Sequence, residues 1–448
     1  MNGDVPAIFD DGSTIKTVDG VGTYTVVADG TVTFVPEKSF TGTASAVTVV
    51  REDKNGTKAS ATYTPTVTPV TPTATPAEST DIQGATQTGK PEFTEGNSRV
   101  PMNDDVPATF DDGSTTETVE GVGTYTVAAD GTVTFVPEPS FTGTAPAVTV
   151  VREDKNGTKA SATYTPTVNP VTLTPTNKVS EDIQNVPQTE TPTFALSDDE
   201  TAQITSKKLI DPATGQPTDE TTVTVAGEGT YTIDPTTGVV TFTPEKDFVG
   251  TATGVTVQAT ATITNANGKT STITSDATYT PTVVAAVPTA QPATSKDIQG
   301  ATQTGTPTFE GATVQVNGQD KAITIKEDSY TLLDNDGNEV TSTPAYAEDG
   351  TTEIGTYSID QATGQVTFTP TDKSYTGVVT PAKVQAESSN GIKVDTTYTP
   401  EIVSVTPTAT PAETTDIQGA TQTGKPEFKG GTVTVDGVEK TVAINEAI

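Results

Sequence analysis

The 448-residue chain carries a formal net charge of −34 and contains no cysteine, histidine or tryptophan. Those absences exclude disulfide staples, zinc–thiolate and histidine metal sites, thiol nucleophiles and a Ser-His-Asp triad. The acidic charge is spread along the chain, where it repels nucleic-acid phosphates and keeps neighbouring chains apart.

Only 32% of residues are hydrophobic and 5% aromatic, so any core is thin; 38 glycines and 32 prolines among abundant threonine and valine point away from helices. The opening Met1-Asn-Gly-Asp-Val5 has neither the basic nor the apolar region of a signal peptide. Apolar runs such as Val283–Val287 fall far short of the ~20 residues that span a bilayer. No sorting motif closes the chain, which ends soon after another repeat has begun; we read it as a segment of something longer.

In chain order, Gly22-Thr-Tyr-Thr-Val26 and Thr31-Val-Thr-Phe-Val-Pro36 alternate β-branched and aromatic residues around Asp29-Gly30, which predicts a hairpin. A second hairpin is expected from Ala46–Val50, a turn at Lys54-Asn-Gly56, and Ala59–Val67, with the proline of Ala61-Thr-Tyr-Thr-Pro65 ending a strand or lying on an edge. Then comes Val67–Ala77, with proline at about every third position. It reads either as a semi-stiff linker or as an edge segment laid on the next domain. A junction motif, Asp81-Ile-Gln-Gly-Ala-Thr-Gln-Thr-Gly-Lys-Pro-Glu-Phe93, follows. Asn-Gly and Asp-Gly hairpins are expected at Thr313–Ile325 and Thr432–Ile444.

The whole pattern recurs. The opening glycine returns at Gly123, Gly229 and Gly355, spacings of 101, 106 and 126 residues, which suit whole small domains rather than solenoid units. Asp4–Val67 matches Asp105–Val168 at a constant offset of 101 with seven differences, among them Ile8/Thr109 and Lys38/Pro139. The expected fold class is all-β, a tandem array of β-sandwich repeats joined by Pro/Thr-rich linkers. The expected boundaries are 1–80 (lacking its own junction motif and first hairpin), 81–181, 182–296, 297–415 and a partial fifth repeat, 416–448.

The linked motifs Gly-Thr-Tyr-Thr-Val, Val-Thr-Phe-x-Pro, Phe-Thr-Gly-Thr-Ala, Ala-Thr-Tyr-Thr-Pro-Thr-Val and Asp-Ile-Gln-Gly-Ala-Thr-Gln-Thr-Gly-Lys-Pro resemble the CshA-type fibril repeat over almost the entire chain. That family occurs in wall-anchored fibrillar adhesins of streptococci and related Gram-positive bacteria. The resemblance implies an extracellular stalk whose partners in the same chain are the neighbouring repeats. It implies host matrix binding, such as to fibronectin, only through an adhesive region outside this sequence. The alternative is that the repeats themselves bind host matrix or other bacteria through many weak sites.

No catalytic, cofactor or metal residue is assigned, no cofactor is expected, and enzymatic activity is not expected. The aromatics Tyr24, Phe34, Phe40 and Tyr63 are read as core rather than as a sugar-stacking surface. Asp10-Asp11-Gly12, Asp111-Asp112-Gly113 and Asp334–Glu339 are read as β-turns. The last resembles part of a calcium loop, but Leu332 and Thr343 stand at its two end-ligand positions. Asn55-Gly-Thr57 and Asn156-Gly-Thr158 are read as turns rather than glycan acceptors. The Ala-Thr-Tyr-Thr-Pro-Thr-Val strand offers no acceptor for a lysine cross-link, so noncovalent packing is expected.

Overall fold

The computed structural model describes residues 2–445, and all of its named elements are strands. The backbone groups into two compact units. One runs to Thr176 and includes Thr193–Lys207 and Gln258–Asp276; the other holds Asn177–Pro192, Lys208–Val257 and the chain from Ala277 onward.

The second repeat, in the first unit, shows the plan most completely. One sheet runs Ala77–Ile82, Lys159–Asn169, Val148–Glu153, Thr109–Phe110; the other runs Gln87–Gly89, Val133–Pro137, Gly123–Val127, Thr116–Val119. Alternation puts Val133, Phe135, Tyr125 and Val127 of one sheet against Phe110, Val148, Val150, Tyr164 and Val168 of the other, in one buried cluster. Tyr125 and Phe135 face each other across the strands, ring centroids 4.5 Å apart.

That pair crosses above Gly123. A Cβ at Gly123 would lie 2.6 Å from the Phe135 ring and 2.6 Å from the Val136 carbonyl oxygen, and Gly22, Gly229 and Gly355 are equally crowded by a phenylalanine ring and a backbone oxygen. The repeated glycine thus makes room for the repeated aromatic. Gly123→Ala is expected to destabilise the second repeat by about 2–3 kcal/mol through overpacking, measurable as faster amide exchange across Gly123–Pro137.

The first repeat has the same design with fewer strands. Its sheets are Ile8–Phe9, Val47–Glu52, Lys58–Tyr63 and Ile15–Val18, Gly22–Val26, Val32–Pro36. Each has one strand fewer than its counterpart in the second repeat.

In the second unit the fourth repeat repeats the plan. Its sheets are Ala293–Ile298, Lys393–Val403, Ala382–Glu387, Thr331–Leu333, Glu339–Val340 and Gln303–Gly305, Val366–Pro370, Glu353–Ile359, Ser342–Tyr346. The third repeat contributes Gln188–Glu190, Val240–Pro244, Gly229–Ile233 and Thr222–Val225 as one four-stranded sheet of this unit.

Two local expectations resolve differently from the sequence alone. For the proline of Ala-Thr-Tyr-Thr-Pro the copies differ: in the first repeat Lys58–Tyr63 is an edge strand that ends before Pro65, as expected, whereas Pro166 sits inside Lys159–Asn169. It occupies the step where the antiparallel partner changes from Val148–Glu153 to Gly143–Thr144, so its missing N–H breaks no ladder, while its carbonyl accepts from Ala145 N at 2.9 Å. The Pro/Thr stretch is the laid-down edge segment of the two readings. Thr73–Thr75 pairs antiparallel with Glu92–Thr94, and Ala77–Ile82 pairs in parallel with Tyr164–Asn169. Thr73, Ala74 and Thr75, between Pro72 and Pro76, form the first ladder, and the proline-free Ala77–Ile82 forms the second.

The Asn317-Gly318 and Asp436-Gly437 turns form as expected, with φ of 50°, 74°, 52° and 81° at those four residues, the conformation of a two-residue hairpin.

Candidate functional site at the repeat junctions

The junction motif is a strap that joins both sheets of its repeat. Residues 77–82 lie on Tyr164–Asn169; the chain turns at Gly84, φ 87°, and 87–89 pairs antiparallel with Val133–Phe135. Three polar side chains fasten it. Ser79 Oγ donates to Gln87 Oε1 at 2.5 Å, and Gln87 Nε2 donates to the Thr167 carbonyl at 3.0 Å. Ser79 has only one hydroxyl proton, so the Tyr164 hydroxyl, 2.7 Å away, donates to it. Gln87 is 3% exposed and Tyr164 is fully buried, so each of these bonds is shielded from competing water. The same clasp joins Ser180, Gln188 and Tyr279, and again Ser295, Gln303 and Tyr398.

Burial raises the ionisation range of Tyr164, Tyr279 and Tyr398 above the usual phenol value, the serine bond offsetting part of the rise. A folded pKa above the unfolded one means that the neutral phenol stabilises the fold. That contribution is complete below pH about 10 and disappears as pH rises through the higher folded values. With no histidine or cysteine to titrate in between, stability is expected to be flat from about pH 6 to 9 and to fall steeply above about pH 10. Circular dichroism melts across that range check it.

Past the strap, each repeat is tied to the next. Within the first unit, Gln83 Nε2 donates to the Pro139 carbonyl at 2.7 Å, and its Oε1 accepts from Val171 N at 3.2 Å. Asn265, on the second-hairpin turn of the next repeat, reaches back to the Pro137 carbonyl at 2.7 Å, and Ser271 donates to Pro139 at 2.6 Å. Lys269 pairs with Glu138 at 2.6 Å. Beneath these bonds Ile82, Val171, Leu196, Ala202, Ile263 and Ile273 form an apolar cluster that draws on both repeats.

Within the second unit the following junction uses the equivalent turn but a position two residues further along it. Asn390, on the equivalent turn, donates to the Ala286 carbonyl at 2.9 Å and to the Gln184 carbonyl at 3.4 Å, and its own carbonyl accepts from Asn185. Ile183 and Ala286 pack against Val316 and Ile323 of the hairpin Thr313–Val316/Gln319–Ala322. Lys321 of that hairpin pairs with Asp182 of the preceding strap. One repeat later Lys440 pairs with Asp297 at 3.2 Å. The first hairpin of a repeat therefore docks on the strap of the one before it. Asn390→Ala leaves two carbonyls unpaired and is expected to cost about 1–3 kcal/mol, read as faster exchange at the Gln184 amide, which bonds to Val284.

The residues singled out from sequence fall in simpler places. Asp11, Asp112 and Asp334 accept backbone N–H groups of their own turns. Hydrogen bonds hold their carboxyls below the usual range, led by the Ser13 and Ser114 side chains for the first two and the Asn338 backbone N–H for Asp334. Asn55 and Asn156 lie in turns closed by Gly56 and Gly157, both at positive φ. Tyr24 is fully buried, Phe34 and Phe40 pack partly buried against the same core, but Tyr63 is 38% exposed. The reading of Tyr63 as core thus fails in the first repeat, for want of the strap that buries its counterparts. Sequence reading also missed the clasp and the junction pairs. Their signal was a serine or threonine eight residues before a glutamine on every strap, and a lysine three residues after each hairpin glycine.

A family profile described as the surface adhesin CshA repetitive domain matches residues 1–67, 69–168, 170–283 and 285–402. No curated protein matches the sequence. Among solved structures, protocadherin gamma B2 extracellular cadherin domains 3–6 are similar at 11% identity and a TM-score of 0.26, covering 90% of this chain and 93% of that one. Drosophila N-cadherin EC1–4 is similar at 12% and 0.21, covering 89% and 92%. The I9–I11 tandem of titin is similar at 10% and 0.27, covering 75% and 97%.

Proposed function

We propose, from the premise that the chain belongs to the family of the surface adhesin CshA repetitive domain, that its repeats are the structural stalk of a bacterial surface fibril. The stalk holds an adhesive region, outside this sequence, away from the cell wall. The observation that carries the reading is the built junction. Gln83 and Asn265 in one unit, and Asn390 and Lys321 in the other, tie consecutive repeats through side chains over an apolar cluster. Such a connection transmits position and load from one repeat to the next, whereas a free linker would let them swivel. The net charge of −34 keeps neighbouring stalks apart. We place the working unit from the strap to the end of its long last strand, 77–169 in the second repeat, with the hairpin that precedes the next core docked behind it.

Deleting residues 69–168 in the full-length protein is expected to shorten the surface fibril by one repeat and leave its binding specificity intact, as seen by electron microscopy and adhesion assays. Unchanged fibril length would refute the stalk. The 448-residue segment itself is expected to show no saturable binding to immobilised fibronectin or host cells. Binding that grew with repeat number would make the repeats the adhesin instead.

A further inference from the structure

In the second, third and fourth repeats the strap and the last strand are neighbours, and they run parallel. Ala77–Ile82 lies along Tyr164–Asn169, Lys178–Ile183 along Tyr279–Val284, and Ala293–Ile298 along Tyr398–Val403, in the same register each time. The chain enters each repeat at the start of its strap and leaves it at the end of its last strand. Tension between those two points draws the strap toward its own N-terminus and the last strand toward its C-terminus. The strands are thus pulled past each other along their length, and the evenly spaced bonds of the parallel ladder are strained together rather than one at a time.

The ladder is closed at its downstream end in the same way in all three repeats. Gln83 N donates to the Asn169 carbonyl at 2.8 Å, Gln184 N to Val284 at 2.9 Å and Gln299 N to Val403 at 3.0 Å. By the two-residue period of a strand, the N–H groups of Asp81 and Ser79 face the last strand as that of Gln83 does. Pro166 turns its carbonyl to Ala145, on the other side of its strand, so its ring takes no rung from the strap. Three features keep the strap from creeping. A slip of one residue would turn Ser79 to the opposite face, away from the Tyr164 hydroxyl 2.7 Å from it. The Tyr164 ring is wedged beside the returning strand, where a Cβ at Gly89 would lie 2.2 Å from it, and Tyr398 stands 2.3 Å from the same point at Gly305. Beyond the Gly84 turn, Gln87–Gly89 is paired with Val133–Phe135 of the other sheet, so drawing the strap back strips that pair as well.

We infer that the strap and the last strand form a shear clamp in each of these repeats, and that its rupture is the step that opens a repeat pulled by its ends. Forced unfolding follows the rate of that rupture rather than the equilibrium stability of the repeat. The use of the clamp rests on the stalk reading, because only a tethered chain carries tension. A single stretched chain tests the clamp by itself, whereas fibril length after deletion tests the stalk.

The 448-residue chain, held by its two ends at constant force, is expected to lengthen in steps of about 300 Å for 77–169 and about 350 Å for each of 178–284 and 293–403. Asp81 is exposed, so Asp81→Pro removes one rung of the clamp and leaves the core packed. The lifetime of the shorter step is expected to fall by about tenfold or more. Glu117→Pro is the control. Val127 N bonds the Thr115 carbonyl, and the alternating antiparallel ladder then makes Glu117 and Tyr125 a bonded pair. That variant removes a rung from Thr116–Val119, an edge strand of the other sheet. Its step lifetime should fall by less than about twofold, even where amide exchange shows as much lost stability as in Asp81→Pro. The presence of the shorter step verifies that each variant folds. Should Asp81→Pro lack it, Ser79→Ala, which removes only a hydroxyl, takes its place, with a fall of about threefold expected. An unchanged lifetime in the clamp variants, or a loss in Glu117→Pro as large as theirs, would overturn the clamp and assign the resistance to the core as a whole.

Discussion

Replacing Tyr398 with alanine is expected to cost the fourth repeat about 3–5 kcal/mol, the range for removing a buried aromatic from a packed core. Tyr398 is fully buried among Leu332, Tyr357, Val366, Phe368 and Val384, and its ring meets Tyr357 edge-on with centroids 6.1 Å apart. The hydroxyl is the lesser part of its role. Tyr398→Phe keeps the ring and removes one bond to Ser295, so about 1 kcal/mol is expected. The comparison separates packing from the clasp. If the phenylalanine variant proved as damaging as the alanine, the clasp would outweigh the core, against this account. Amide exchange along Ala382–Glu387 is the readout, because a multi-repeat chain does not unfold in one step. Strap amides at Ala293–Ile298 should lose protection in both variants, and more in the alanine.

The sequence made the sheets legible because each strand carries its own period: Gly-Thr-Tyr-Thr-Val alternates inward and outward residues, and Asp-Gly or Asn-Gly closes the turn. The long last strand was harder to read, because Pro166 breaks the local rule and only the change of partner beside it explains its place. The junctions were hidden for a different reason. Gln83, Asn265 and Asn390 act over separations of 56 to 206 residues and occupy turns and strap ends, where polar residues are ordinary. Gln83 recurs as Gln184, Gln299 and Gln418, but Asn265 stands where other copies have Asp53, Asp154 and Ser388, and in either case the contact partner comes only with the packing. The exposure of Tyr63 was likewise out of reach. Its local sequence is identical to that around Tyr164, and only the presence or absence of a strand eighty-odd residues away separates them.

That near-identity makes the first two repeats a natural experiment on what a strap contributes. Asp4–Val67 and Asp105–Val168 differ at seven scattered positions, none of them buried in the first repeat, so a large difference in stability traces to residues 77–94. In dilute solution the amides of Val47–Glu52 and Lys58–Tyr63 are expected to exchange at least ~100-fold faster than those of Val148–Glu153 and Lys159–Tyr164, about 3 kcal/mol at 1.4 kcal/mol per tenfold. The estimate is of the right size physically. Phe93 is partly buried, which contributes less than the ~1.5–3 kcal/mol of a fully buried ring, and the shielded bonds of Gln87 and Tyr164 add about 1 kcal/mol each, offset by the entropy of ordering the strap. Equal protection of the two repeats would mean that the sandwich closes without its strap, and the strap would then serve the junction alone.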